Sequence, residues 1–145
     1  MTEEASKVIY DAFQMIGIQP AEEDIDAEMA TQALRVLNNM MHTFETAKGI
    51  DLDFTTLTGI DEDVTVDDAA LEGVKANLAV RLWPLYIKEP VSQLIMGLAN
   101  NGYKDLLKIG QAITEIEYPD TLPKGSGNES YSYATEHFYD GVDTE

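Results

Sequence analysis

The chain has 145 residues, 44% hydrophobic and 25% charged, with 27 acids against 9 bases and a net charge of −18. One domain is the prior at this length, and such a chain buries roughly 70% of the surface it exposes when unfolded, enough for a real core. The excess of negative charge repels nucleic acid and anionic membranes rather than gripping them, and the absence of cysteine excludes a disulfide frame and thiolate chemistry.

The opening stretch "MTEEASKVIYDAFQMIGI" is acidic where a secretory signal would be basic, and its apolar residues are interrupted. Ala5, Val8, Ile9, Ala12, Phe13 and Ile16 repeat at helical spacing and predict a first helix over about 3–16, stopped by Gly17. After the connection "QPAEEDID", with Asp24 or Asp26 as N-cap, a second helix is expected over about 26–47. Its apolar stripe is Ala30, Ala33, Leu34, Leu37, Met40, Met41 and Phe44, and Gly49 supplies its C-cap. The segment "IDLDFTTLTGIDEDVTVDD" follows. Its β-branched residues predict a short hairpin around Gly59-Ile60-Asp61. From Asp51 to Asp68 it holds seven acids and no base.

A third helix is expected over about 68–88, with Leu71, Val74, Leu78, Leu82 and Leu85 on one face and a kink or break near Trp83 caused by Pro84. Lys88-Glu89 is a sharp joint. Pro90 suits the first turn of a fourth helix. That helix carries Val91, Leu94, Ile95, Leu98, Leu106, Ile109 and Ile113, to about 114. No run approaches ~18 apolar residues, so no membrane span is predicted. The fold class is therefore mainly α: a four-helix bundle interrupted by an acidic loop.

Few constellations carry chemistry. Read as a calcium loop from Asp51, the acidic segment places Asp53 at position 3 and Glu62 at position 12, but Thr56 stands where the sharp turn needs glycine and Thr55 is a weak ligand. A solvated acidic loop is the better reading. His42 and His137 are the only histidines, and without cysteine or a His-x-x-x-His pair they make no zinc site. No metal and no cofactor is expected. Ser126 in "GSGN" lacks the strand–turn–helix setting of a nucleophile, and no Lys-Ser/Thr follows to make a phosphate loop. Trp83, Tyr86 and Tyr103 read as core or helix-interface aromatics. Arg81, one turn from Leu78 and Leu85, suits a buried acid or a neighbouring subunit. Carboxylates are abundant enough to furnish a pair for a cell-wall glycoside hydrolase, and the acidity also suits a DNA-mimicking decoy. Both readings remain open beside a structural one, which is not enzymatic.

The end of the chain stands apart. "YPDTLPKGSGN", Tyr118 to Asn128, holds two prolines and two glycines in eleven residues, so it continues neither a helix nor a sheet. The seventeen residues after it carry four aromatics, whereas purely solvated tails are poor in them. On a free arm Tyr118, Leu122, Tyr131, Tyr133, Phe138 and Tyr139 would be exposed, and apolar side chains exposed in that number mark a partner surface. Fully extended, residues 116–145 could reach about 100 Å. The expected organisation is a helical body over 1–115 and an extended docking arm over 116–145.

These stretches resemble a known family. "YPDTLPKGSGN" is similar to the Tyr-Pro to Gly-Ser-Gly-Asn stretch of the tail accessory factor of short-tailed bacteriophages, and "EHFYDG" to the aromatic stretch that follows it. Upstream, "NLAVRLWPLY" resembles the family's Asn-Leu-Ala-x-Arg-x-x-Pro-x-Tyr helix, and "LNNMM", "KGI" and "YKDLL" fall in the matching order. The likeness is weakest over 50–68.

The resemblance implies a structural virion protein, made in the host cytoplasm and placed at the head–tail junction. Copies form a ring, usually of twelve, under the portal protein. The lower face receives a tail hub or tube protein, and genomic DNA passes through the channel without sequence-specific binding; no membrane is involved. On the same likeness, Tyr118, Pro119, Pro123, Gly125, Ser126, Gly127 and Asn128 lead the arm out of the bundle, and His137, Phe138 and Gly141 lie in its distal, portal-bound part; Leu122, Tyr131, Tyr133 and Tyr139 join them as the arm's apolar anchors on the reading of exposed side chains above.

Overall fold

The computed structural model describes residues 3–18 and 25–111. Within them the protein is mainly helical. In chain order it has a two-residue strand β1 (Glu3–Glu4), helices α1 (Ala5–Ile16) and α2 (Ala27–Lys48), a two-residue strand β2 (Asp63–Val64), and helices α3 (Asp68–Tyr86) and α4 (Gln93–Gly110). Helices α1, α2 and α4 all pack on α3, and α1 also meets α2.

The first two helices follow their apolar stripes. Val8, Ile9, Ala12, Phe13 and Ile16 are buried on α1, and Ala30, Ala33, Leu34, Leu37, Met40, Met41 and Phe44 on α2. Each helix stops at a glycine in the left-handed region, Gly17 at φ 84° and Gly49 at φ 64°, a conformation that costs other residues a clash at Cβ. Asp26 is the residue before α2, as expected, but its side chain makes no capping hydrogen bond.

Helix α1 begins at Ala5, not residue 3, because Glu3 and Glu4 pair antiparallel with Val64 and Asp63. This corrects the local hairpin expected around Gly59-Ile60-Asp61: the strand partner lies some sixty residues upstream. The same pairing solves a problem at the helix start. Glu4 offers α1 no side-chain cap, yet the first N–H groups of a helix need acceptors. Main-chain carbonyls from the loop supply them: Ala5 N–H donates to Glu62 O at 2.9 Å and Ser6 N–H to Ile60 O at 2.8 Å.

The loop is fastened to α2 as well. The Asn38 side-chain amide donates to Leu57 O at 2.8 Å, and its Oδ1 accepts from Leu57 N–H at 3.1 Å. Leu52, Leu57, Val64 and Val66 drop into the core from this otherwise exposed segment. Asn38→Ala leaves both Leu57 main-chain groups without their partner. It is expected to cost about 1–2 kcal/mol, read as a fall in thermal midpoint with the helical signal below the transition unchanged.

Helix α3 is the centre of the body. Ala70, Leu71, Gly73, Val74, Ala76, Leu78, Ala79, Leu82 and Trp83 are all buried, which covers most of its circumference. Leu85 departs from the expected face and is 48% exposed. Pro84 does not break the helix at Trp83. It lies in the last turn, where its missing N–H removes a single hydrogen bond, and the helix ends at Tyr86 with Ile87 N–H donating to Trp83 O at 2.8 Å. The joint beyond is held by Trp83 Nε1–H, which donates to Glu89 O at 2.7 Å.

Helix α4 starts at Gln93 behind Ser92, so Pro90 lies before the helix rather than in its first turn, and the helix ends at Gly110 rather than near 114. It crosses α3 at a pair of glycines. A Cβ on Gly73 would stand 2.8 Å from Gly102 O, and one on Gly102 would stand 2.6 Å from Gly73 Cα. Asn77 rivets the crossing, its amide donating to Gly73 O at 2.8 Å and to Ala99 O at 3.1 Å.

Candidate functional site

Acids and bases were the first candidates for chemistry, and the structure employs several of them in holding the body together. Lys75 on α3 reaches Asp11 on α1 at 2.6 Å and Glu3 on β1 at 2.7 Å. These three, with Lys7, Asp68 and Glu72, line an open cleft of about 760 Å³ between α1 and α3. Burial pulls down the pKa of Lys75, but the hydrogen bonds and charges of Asp11 and Glu3 outweigh it, and the net movement is upward. A raised lysine contributes its stability fully below its ordinary value of 10.5 and loses it as the pH climbs through the folded value. Lys75→Met is therefore expected to lower stability by about 1 kcal/mol at neutral pH. The difference from the parent protein should shrink in melts taken above pH 10.5.

Glu62 is engaged too. Its carboxylate accepts from the Thr58 hydroxyl and, at 3.2 Å, from the Thr58 N–H. Those donors hold its pKa below the usual carboxylate range, the opposite of what a general acid requires. The calcium-loop geometry does not form around it: among the described residues, no three His, Cys, Asp or Glu side chains stand close enough to hold a metal ion. Asp53 has a positive φ of 54°, and its N–H donates to Asp51 Oδ1 at 3.1 Å. His42 lies exposed on α2, its Nε2 3.2 Å from the Thr56 hydroxyl.

The aromatics take up the helix-interface positions expected of them. Tyr86 meets Phe13 edge-on at 5.3 Å and donates to Gln32 Oε1 at 3.0 Å. Tyr103 tilts over Phe44 at 5.8 Å. The guanidinium of Arg81 lies 5.5 Å from the centre of the Phe44 ring, and partial desolvation of this otherwise exposed side chain lowers its pKa. Of the two partners the sequence leaves open, a buried acid is not what Arg81 meets among the described residues; its contact there is the ring face of Phe44.

The surface of α4 is less easily absorbed into a core. Ile95, Ala99 and Leu106 are buried, but Leu94 is 73% exposed and Met96, Leu98 and Ile109 are more than 40% exposed. The expected single stripe thus divides into a buried line against α3 and an apolar outer flank. Beyond α4, the last described turn is tied down: Asp51 N–H donates to Gly110 O at 2.9 Å, and a side chain at Gly110 would collide with Ile50 and Asp51. The docking residues expected from Tyr118 to Tyr139 lie outside the described residues.

Sequence reasoning missed Gly73, Gly102, Asn38 and Lys75. A signal existed for the glycines, since an isolated glycine within a helical pattern marks a close backbone approach. Nothing in the local sequence distinguishes Asn38 or Lys75 from other polar helix residues.

A model of the P22 tail accessory factor family matches residues 5–145. The chain belongs to that family. The match runs through the four helices and on past the described residues to the end of the sequence. Tail accessory factors are structural components of the bacteriophage tail, so the chain is a virion-associated structural protein. Among curated proteins, none matched the chain. Among the described residues of this tail accessory factor, no helix is long and apolar enough to cross a membrane.

Proposed function

We propose that this tail accessory factor is a head-to-tail adaptor. Copies form a ring beneath the portal protein, held there by the segment that follows α4, and the opposite side of the ring receives a tail hub or tube protein. The observation that carries this reading is the extent of the family match, which includes Tyr118–Asn128 and the aromatic residues beyond as well as the helical body. The charge supports it. A channel wall built from copies of −18 each does not hold DNA phosphates, so the duplex slides past it.

The direct test is to mix the purified chain with portal rings and image the product by electron microscopy. A second ring of density under the portal is expected. Portal rings that stay bare at saturating concentrations of the chain would refute the proposal. The free chain at low ionic strength is expected to sediment as a monomer, because like charge opposes ring closure until the portal brings copies together.

A further inference from the structure

The distribution of charge along the chain marks out one region. Between Arg81 and Lys104 the 22 residues carry a single base, Lys88, and a single acid, Glu89, so the whole −18 is borne by the rest of the chain. The same stretch holds four of the six large apolar side chains that the described body exposes: Leu85, Leu94, Met96 and Leu98. Leu94 and Leu98 are one helical turn apart on α4 and so project from the same side of it. Leu98 also borders a groove of about 160 Å³ between α3 and α4, where the apolar wall of Met15, Ala76 and Leu106 gives way to the acids Glu72 and Asp105, so the uncharged area lies on the Leu94–Leu98 side of it.

We propose that this uncharged outer flank of α4, centred on Leu94 and Leu98, is the face through which one copy of the chain docks on a second copy. This rests on the ring-forming role proposed above and names the surface that such a ring would use. Charge selects the occupant. A basic partner would be drawn to the acidic remainder of the surface, where attraction is available. Two copies of an acidic chain repel wherever those acidic surfaces meet. They can approach closely only where charge is absent and apolar area is there to be buried, and the flank of α4 combines both conditions. Self-association through it is therefore gated by screening: counterions must damp the repulsion between the acidic parts before the apolar contact can close.

The gate makes the face testable without the portal. Sedimentation velocity of the full chain is run from about 0.05 M to about 1 M sodium chloride, over which the Debye length falls to about 3 Å. The association constant is expected to rise by at least about tenfold across that range. A double variant, Leu94→Gln with Leu98→Gln, changes no charge and keeps good helix formers in α4. It is expected to fold normally by circular dichroism and to associate at least about tenfold more weakly at high salt, from the lost apolar area. Failure of the parent chain to associate at any salt concentration overturns the proposal, and so does equal association by the double variant. A third protein lacking 129–145 tests the chain's own tail as the occupant; if it associates where the full chain does not, the tail covers this face and the second-copy assignment is wrong. Portal binding is read separately, so the adaptor role and this docking face can fail independently.

Discussion

Removing residues 129–145 is expected to abolish attachment to portal rings while leaving the helical body folded. Among the described residues the core runs from Ala5 to Leu106, and all of these are retained when 129–145 is removed. The deleted stretch holds Tyr131, Tyr133, Phe138 and Tyr139. Aromatic side chains bury a large area for few frozen torsions, and a few such anchors commonly carry most of an interface's affinity. Loss of all four is expected to weaken portal binding by more than about a hundredfold, equivalent to about 2.7 kcal/mol. Thermal melting of the truncated protein checks the body and cosedimentation with portal rings checks the attachment. A truncated protein that binds at full affinity would remove the tail from the mechanism.

The second large effect is expected at the crossing of α3 and α4. In Gly102→Ala the new methyl group would occupy a point 2.6 Å from the Gly73 Cα. The obstacle is main chain, which has no rotamer to escape into, so the two helices must separate. The cost is expected at the upper end of the overpacking range, about 3 kcal/mol, with a drop in thermal midpoint of about 10 °C for a domain of this size. Gly97→Ala is the matched control on the same helix, since nothing stands within 4 Å of the position of its Cβ. It is expected to be neutral or to stabilise by up to about 1 kcal/mol.

How far the fold could be read from sequence depended on how many faces each helix buries. α1 and α2 bury one face each and end at glycines, so periodicity found their stripes and the glycines found their ends. α3 is buried on most sides, which leaves no single stripe to extrapolate; Leu85 was assigned to the core on spacing alone and lies outside it. α4 has apolar residues on its inner and outer sides, and sequence does not distinguish a leucine facing a neighbouring helix from one facing outward. The β-branched residues around Gly59-Ile60-Asp61 predict a strand pair but only a local one, because the pattern of a segment carries no record of a partner sixty residues away. For the site, the motif from Tyr118 to Asn128 and the helix "NLAVRLWPLY" were sufficient to identify the family. The apolar flank of α4 was hidden, since it emerges only once α3 has claimed the opposite side.

The loop that starts α1 has a consequence for how freely the protein can vary. The atoms that satisfy Ala5 and Ser6 are carbonyl oxygens of Glu62 and Ile60, and every amino acid has one. At these positions a mutation that swaps the side chain while preserving the backbone path leaves the helix start intact. The exposed acid Asp61 between them can thus be exchanged without removing either carbonyl. Surface charge there is a dial separate from the fold, and selection can turn it to suit the ionic conditions of assembly while the same bundle persists underneath.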